Sequence, residues 1–158
     1  MPPVPSSSPY PTRKPLPHGR LLGLDTGTLY FITVCAAARN MNVLANDRVA
    51  KGLWQNICFC HARGDWFPHL FVVMPDHVHG LFSFPLEAQM NKAVTAWKKF
   101  TAHALDIDWQ RDFFDHRLRS EESFEEKAAY ICDNPVRAGL VKAAGEWPYT
   151  WRMSRYGD

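Results

Sequence analysis

Long hydrophobic runs, a secretion signal and a strong net charge are all missing from this 158-residue sequence. No apolar stretch approaches the roughly 20 residues that span a bilayer, and the amino terminus lacks the charged-then-apolar pattern of a signal peptide. We therefore expect a cytoplasmic protein without a membrane span. The net charge of +2 excludes a global basic field that would attract nucleic acid from all sides.

A regular cysteine pattern is also absent. The chain has four cysteines, none with CxxC spacing or a histidine partner at zinc-finger distance: Cys35, Cys58, Cys60 and Cys132. We interpret them as buried or incidental thiols, which suit a reducing compartment. What the chain does contain, 46% hydrophobic and 13% aromatic residues, predicts a globular core.

Proline is concentrated at the amino terminus, where residues 1–17 contain seven of the twelve prolines. Such a segment is extended or disordered unless it docks on a partner. We therefore divide the chain into a proline-rich basic arm, residues 1–20, which is either flexible or docked on nucleic acid, and a single domain, residues 21–158.

Acidic residues are absent from this arm. None occurs before Asp25, whereas Arg13, Lys14 and Arg20 lie within or just after the proline-rich segment. Each of these cations could contact a phosphate and release a counterion. A solvated tail with incidental charge explains the same composition.

The pattern of apolar residues predicts four strands and three helices in the order β-α-β-β-α-β-α. The predicted strands cover residues 28–37, 66–74, 77–84 and 107–118, and the predicted helices cover residues 46–61, 90–105 and 123–135. In the second helix Lys98 is expected to lie off the buried face. Four strands with two crossover helices predict an α+β fold of the ferredoxin-like plan (βαββαβ). In this plan an antiparallel sheet carries helices on one face, and the last helix is an addition.

His77 and His79 are the most informative residues of the chain. They follow the Pro75-Asp76 turn and begin a strand, so the sequence predicts a hairpin with both histidines near its tight end. Because side chains alternate along a strand, the two imidazoles should point to one face and Val78 to the other. Such a pair forms half of a metal site or a paired acid and base, although ordinary surface strands contain it too.

The last predicted helix carries a second group of polar residues. Lys127, Tyr130 and Asn134 fall together along one flank, with Tyr130 and Asn134 one turn apart. Taken singly, each has an ordinary explanation, since tyrosine is often half-buried on helices and asparagine often ends them.

Six segments occur together in one order along the chain. They are LPHGR (16–20), YFITV (30–34), VVMPDHVHGL (72–81), WKKFTA (97–102), WQRDFFDHRLRSEE (109–122) and YICDNPVRAGLV (130–141). Together these segments resemble the REP-associated tyrosine transposases, a group of the single-tyrosine HUH transposases. The resemblance covers nearly all of the chain after Leu16.

The resemblance implies a catalytic site. Tyr130 would be the nucleophile that forms a 5′-phosphotyrosine, and His77, His79 and Asn134 would be the ligands of a metal ion. Imidazole by itself favours zinc, copper or nickel, but the resemblance implies Mg²⁺ or Mn²⁺.

The resemblance also implies the partner, single-stranded DNA that is cut and rejoined at repetitive palindromic hairpins by a monomer or a homodimer. Two alternatives stay open, a hairpin-binding regulator without cleavage activity and a metallohydrolase that uses bound water. The candidate DNA-binding residues are Arg13, Lys14, Arg20, Lys98, Arg117, Arg119 and Lys127.

Overall fold

The computed structural model describes residues 28–85, 89–119 and 124–153. The predicted basic arm and the first residue of the last predicted helix, Ser123, lie outside the described residues. The elements are β1 (Leu29–Cys35), α1 (Asp47–Arg63), β2 (Phe67–Val73), β3 (His77–Ser83), α2 (Met90–Leu105), β4 (Phe114–Arg117), α3 (Phe124–Cys132), α4 (Asn134–Arg137) and β5 (Thr150–Arg152). Among these residues, no helix is both long and apolar enough to cross a membrane.

The strands form one antiparallel sheet in the order β4-β1-β3-β2-β5. The first four strands have the ferredoxin-like order that the sequence predicts. The fifth strand was not predicted, because its three residues are too few to show an alternating pattern. It extends the sheet by pairing with Leu70, Phe71 and Val72 of β2.

The predicted strand at residues 107–118 is wrong over most of its length. Only Phe114–Arg117 form a strand, and an isolated bridge joins Trp109 to Ala36. The reason is Lys98, whose ammonium group lies 2.7, 2.8 and 3.4 Å from the carbonyl oxygens of Gln110, Arg111 and Asp112. These carbonyls bond to a side chain rather than to a neighbouring strand.

One face of the sheet is covered by α1 and α2, as predicted. Val34 and Val78 of the sheet pack there against Leu53 of α1 and Trp97 of α2. Helix α1 begins at the Asn46 cap, whose Oδ1 accepts a hydrogen bond from the Val49 amide at 3.0 Å. The helix therefore begins at the residue where the sequence predicts its start, at an asparagine, which is a preferred cap.

The opposite face is covered by α3. Ala128 and Ile131 are fully buried there against Leu70, Val72 and Leu81 of the sheet. The sheet therefore lies between two helical layers, with the crossover helices on one side and the last helix on the other.

The last helix is divided in two. It was predicted to end at Pro135, but α3 ends at Cys132 and Pro135 lies in the first turn of α4. Proline fits there because the first residues of a helix have no partner for their N–H groups. The Asp133 amide still donates to the Ala129 carbonyl at 3.0 Å, so α4 follows α3 without an intervening loop.

Candidate active site

His77 and His79 lie side by side on the face of the sheet that α3 covers. Val78 between them is buried on the other face, so the predicted alternation is confirmed. Their Nε2 atoms are 3.1 Å apart and the rings are close to perpendicular, at 76°. The two imidazoles therefore converge through the same ring nitrogen.

Both remaining ring nitrogens are held by neighbours. His77 Nδ1 donates to Asp76 Oδ1 at 2.7 Å, and His79 Nδ1 is 2.8 Å from the hydroxyl of Thr33 on β1. A hydrogen bond at Nδ1 fixes the orientation of each ring. The two Nε2 atoms lie within hydrogen-bonding distance of each other, so in this arrangement one of them carries a proton and the other accepts it.

Asp76 is anchored on the side away from His77. Its Oδ2 accepts the Asn40 amide at 2.8 Å and lies 3.5 Å from Arg39 Nε. Burial alone would raise the pKa of Asp76, but the hydrogen bonds from His77 and Asn40 and the Arg39 charge lower it below its ordinary value. A charged carboxylate therefore supports His77. Asp76 was predicted only as a turn residue, because its contact with the His77 ring does not follow from the sequence pattern.

His79 is held in its neutral form. Burial, followed by the charges of His77 and Arg137, lowers the pKa of His79 to about 3. At neutral pH its imidazole is uncharged, which is the form that binds metal ions. The contribution of Arg137 also places that cation within electrostatic reach of the histidine pair.

Tyr130 lies on α3 and is 56% exposed. Its ring is linked to the histidine pair through two side chains. Lys127 Nζ is 5.8 Å from the Tyr130 ring centroid and 5.4 Å from that of Phe31, and Phe31 stacks on His79 with centroids 5.3 Å apart. Lys127 and Tyr130 are thus neighbours, as their common flank predicts, and Phe31 connects Lys127 to His79. Phe31 was not predicted as part of the site.

Asn134 and Tyr130 share a partner, Arg137, which was not predicted as a site residue. Its Nη2 donates to Asn134 Oδ1 at 2.9 Å and to the Tyr130 carbonyl at 2.7 Å. The guanidinium carbon lies 4.0 Å from the Tyr130 ring centroid. The signal was available in the sequence, since Arg137 is one helical turn beyond Asn134 in the YICDNPVRAGLV segment.

The donor atoms fit part of a metal site. Two ligands about 2.1 Å from one ion are about 3 Å apart when the angle at the ion is close to 90°, and the two Nε2 atoms are 3.1 Å apart. Asn134 Nδ2 is buried and has no hydrogen-bond partner among the residues that the structure describes, while Oδ1 is bound to Arg137. Among the described residues no group of three histidine, cysteine or acidic side chains could hold an ion. The remaining ligands would have to be amide or phosphate oxygens.

The predicted DNA-binding residues have different surroundings. Lys98 is 9% exposed, so its expected place off the buried face was wrong, and its ammonium group stabilises the loop before β4. Arg117 and Arg119 are exposed at the end of β4, and Lys127 is half-buried beside Tyr130. Arg13, Lys14 and Arg20 lie outside the described residues.

An exposed aromatic side chain borders the site. Phe114 on the edge strand β4 is 57% exposed and pairs with Thr33, the residue that contacts His79. Its ring centroid is 6.1 Å from that of Phe31. Aromatic rings therefore extend from the histidine pair to the edge of the sheet, with Phe31 stacked on His79 and meeting Phe114 edge-on.

Comparison with known proteins identifies relatives over most of the chain. The model of the family described as IS200-like transposases matches residues 26–131. A REP-associated tyrosine transposase of Escherichia coli strain K12 is 30% identical over 83 residues, which are 51% of this chain and 50% of that protein. A putative REP-associated tyrosine transposase of Haemophilus influenzae is 24% identical over 145 residues, covering 78% of this chain and 79% of the relative.

A solved structure agrees with these relationships. The structure of a REP-associated tyrosine transposase bound to a REP hairpin has a TM-score of 0.68 and 26% sequence identity, over 78% of this chain and 75% of the other. The family match includes both histidines and Tyr130 and covers about two thirds of the sequence. The chain therefore belongs to the IS200-like transposase family, and proteins similar to it include REP-associated tyrosine transposases.

Proposed function

We propose that this protein cuts and rejoins single-stranded DNA beside palindromic hairpins, with Tyr130 as the nucleophile. One observation carries the proposal: an exposed tyrosine stands on the helix that covers the histidine face, and Lys127 and Phe31 link it to His79. A tyrosine that served only to fill the core would be buried like Ala128 and Ile131 of the same helix.

The proposed step is an in-line attack of the Tyr130 oxygen on a phosphodiester phosphorus. The O–P bond to tyrosine forms, the bond between phosphorus and the 3′-oxygen breaks, and the phenolic proton ends on the released 3′-hydroxyl. The 5′-phosphate stays on the protein. Because the bond energy is retained, a 3′-hydroxyl of another strand can reverse the step and join the strands without ATP.

His77, His79 and Asn134 would hold a Mg²⁺ or Mn²⁺ ion, which when bound supplies a Lewis acid for the charge on the phosphate oxygens. The support for this part is the convergence of the two Nε2 atoms and the neutral state of His79. Asp76 and Thr33 would keep both rings in the ligand orientation.

Hairpin DNA is the proposed substrate because the solved relative is bound to one. The backbone of the DNA would be contacted by the exposed side chains of Arg117 and Arg119 at the end of β4 and by Lys127 on α3. Unpaired bases beside the stem would stack on the exposed ring of Phe114, since aromatic side chains accept any base by stacking.

Covalent capture tests the proposal. The purified protein is incubated with Mn²⁺ and a pool of single-stranded hairpins whose flanks are randomised, and the products are separated on a denaturing gel. We expect a protein–DNA adduct and a shortened strand with a free 3′-hydroxyl. Binding without cutting would favour the regulator, and cut DNA with two free ends would favour the metallohydrolase.

A further inference from the structure

The sequence Asn-Pro-Val-Arg-Ala-Gly fixes the place of Arg137. Pro135 is buried in the first turn of α4, and Gly139 ends the helix with φ 75, a left-handed conformation that favours glycine. The Gly139 amide donates to the Val136 carbonyl at 2.9 Å, as in a regular helix end. Helix α4 is thus limited to a single turn, from which the Arg137 side chain reaches back to Tyr130 of α3.

Arg137 uses only part of its hydrogen-bonding capacity inside the protein. A guanidinium group has five N–H donors, and both recorded acceptors, the Tyr130 carbonyl and Asn134 Oδ1, are bound by Nη2. Within the part of the chain that the structure describes, Nη1 and Nε have no acceptor. The residue is exposed, so these donors can reach a ligand from solvent.

The open donors lie beside the proposed nucleophile. The guanidinium carbon is 4.0 Å from the Tyr130 ring centroid, nearer than the Lys127 ammonium at 5.8 Å. Its charge also contributes to lowering the pKa of His79. Arg137 is thus a cation with unused donors that contacts the Tyr130 ring and lies within electrostatic reach of His79.

We infer that Arg137 binds the phosphate attacked by Tyr130, through the N–H groups of Nη1 and Nε. This inference rests on the proposed function and adds a residue to it. A phosphate oxygen that gains charge during attack matches the planar fork of arginine, which donates two parallel hydrogen bonds. The Nη2 contacts to Tyr130 and Asn134 would hold the fork in place while the other nitrogens bind DNA.

A rival role is structural. Arg137 donates to the Tyr130 carbonyl of α3 and to the Asn134 side chain of α4, so it could serve only to join the two helices. The two roles differ in one respect. A phosphate-binding arginine depends on the charge of a single phosphate in the DNA, whereas a structural arginine does not.

The test compares two proteins on two kinds of DNA. Tyr130→Phe and Tyr130→Phe/Arg137→Gln are titrated in EDTA with one hairpin selected by the protein from the randomised pool. A second set of hairpins has the same sequence, and in each of them an uncharged methylphosphonate replaces one phosphate of the flank. We expect Arg137→Gln to weaken binding of unmodified DNA about tenfold, the size of one charge-assisted hydrogen bond. For one position of the methylphosphonate, the two proteins should bind the hairpin with equal affinity.

That position should be the bond that the wild-type protein cuts in Mn²⁺, and Arg137→Gln should slow this cut more strongly than it weakens binding. If Arg137→Gln lowers the affinity for every modified hairpin by the same factor, the inference is overturned and the structural role remains. Since binding is measured without metal and without the nucleophile, the result does not depend on cleavage. A wild-type protein that never cuts would contradict the proposed function alone.

Two further variants separate folding from binding. Arg137→Lys keeps the charge but not the fork, and we expect it to recover only part of the lost affinity. Lys142→Gln removes an exposed cation further along the chain and should leave the methylphosphonate pattern of the parent protein unchanged. Melting temperatures of all variants show whether the fold is intact, and a phosphate-dependent loss in a variant with an unchanged melting temperature supports the inference.

Discussion

Thr33 lies directly opposite His79 on the neighbouring strand, and its hydroxyl is 2.8 Å from His79 Nδ1. Asp76 makes the equivalent contact to Nδ1 of His77. The two histidines lie on the same face of one strand but have partners on different elements. His79 contacts the neighbouring strand, and His77 contacts the preceding turn. Both partners leave Nε2 as the atom available to a ligand.

Replacing Thr33 with valine tests this relationship. Valine has the same shape but no hydroxyl, so the His79 ring loses the group that fixes its orientation. We expect Mn²⁺ affinity, measured by calorimetry with the hairpin present, to fall about tenfold, as for other losses of a ligand's hydrogen-bond partner. Thr33→Ser keeps the hydroxyl and serves as the control. Equal affinity of the valine and serine variants would show that the hydroxyl does not orient His79.

Removing the phenolic oxygen of Tyr130 separates chemistry from binding. Tyr130→Phe should give no covalent adduct and no cut strand on a denaturing gel, because the nucleophile is gone. The side chain is 56% exposed, so hairpin affinity and melting temperature should stay within the small range of surface substitutions, about twofold in affinity. Cleavage by this variant at the wild-type rate would assign the attack to water and contradict the tyrosine mechanism.

The sequence predicts those parts of this structure that depend on short-range patterns. The face shared by His77 and His79 follows from the period of a strand, and the α1 start at Asn46 follows from capping. The antiparallel order of the first four strands follows from the order of the elements. The predicted strand at residues 107–118 was too long, because the carbonyls before β4 bond to Lys98, a distant lysine, rather than to a neighbouring strand.

The missed site residues are those whose roles arise only from the tertiary fold. Phe31 stacks on His79 because β1 and β3 are neighbours in the sheet, although the two residues are far apart in sequence. Arg137 reaches Tyr130 only because α4 continues directly from α3 beyond Pro135. A periodicity argument that stopped the helix at the proline could not place it.

Lys98 is expected to stabilise the protein rather than to bind DNA. Lys98→Met keeps the length of the side chain but leaves the carbonyls of Gln110 and Arg111 without their charged donor. We expect the free energy of unfolding, from urea titration, to fall by about 1.5–3 kcal/mol, the range for hydrogen bonds to charged groups. Lys99→Met, at the exposed neighbouring position, should change it by less than about 0.5 kcal/mol.

The same pair of variants tests the DNA role that the sequence suggested for Lys98. If the Lys98 ammonium contacts a phosphate, Lys98→Met should flatten the dependence of hairpin affinity on salt, because binding without that contact releases fewer counterions. We expect an unchanged slope. A flatter slope in a variant that is still folded at the assay temperature would restore Lys98 to the DNA interface.

Phe114 should distinguish unpaired flanking bases from the hairpin stem. The ring is exposed beside Thr33 and Phe31, on the face that carries the histidines. Stacking of one base on an aromatic side chain contributes about 1–3 kcal/mol, so Phe114→Ala should weaken binding of a hairpin with a single-stranded flank about tenfold. Binding of the same stem without a flank should not change. Phe100→Ala on α2 removes another phenylalanine of similar exposure and serves as the control.

A 2-aminopurine placed in the flank reports the contact between Phe114 and a flanking base directly, because stacking quenches its fluorescence. Quenching that is the same in wild type and Phe114→Ala would place the flanking bases elsewhere on the protein.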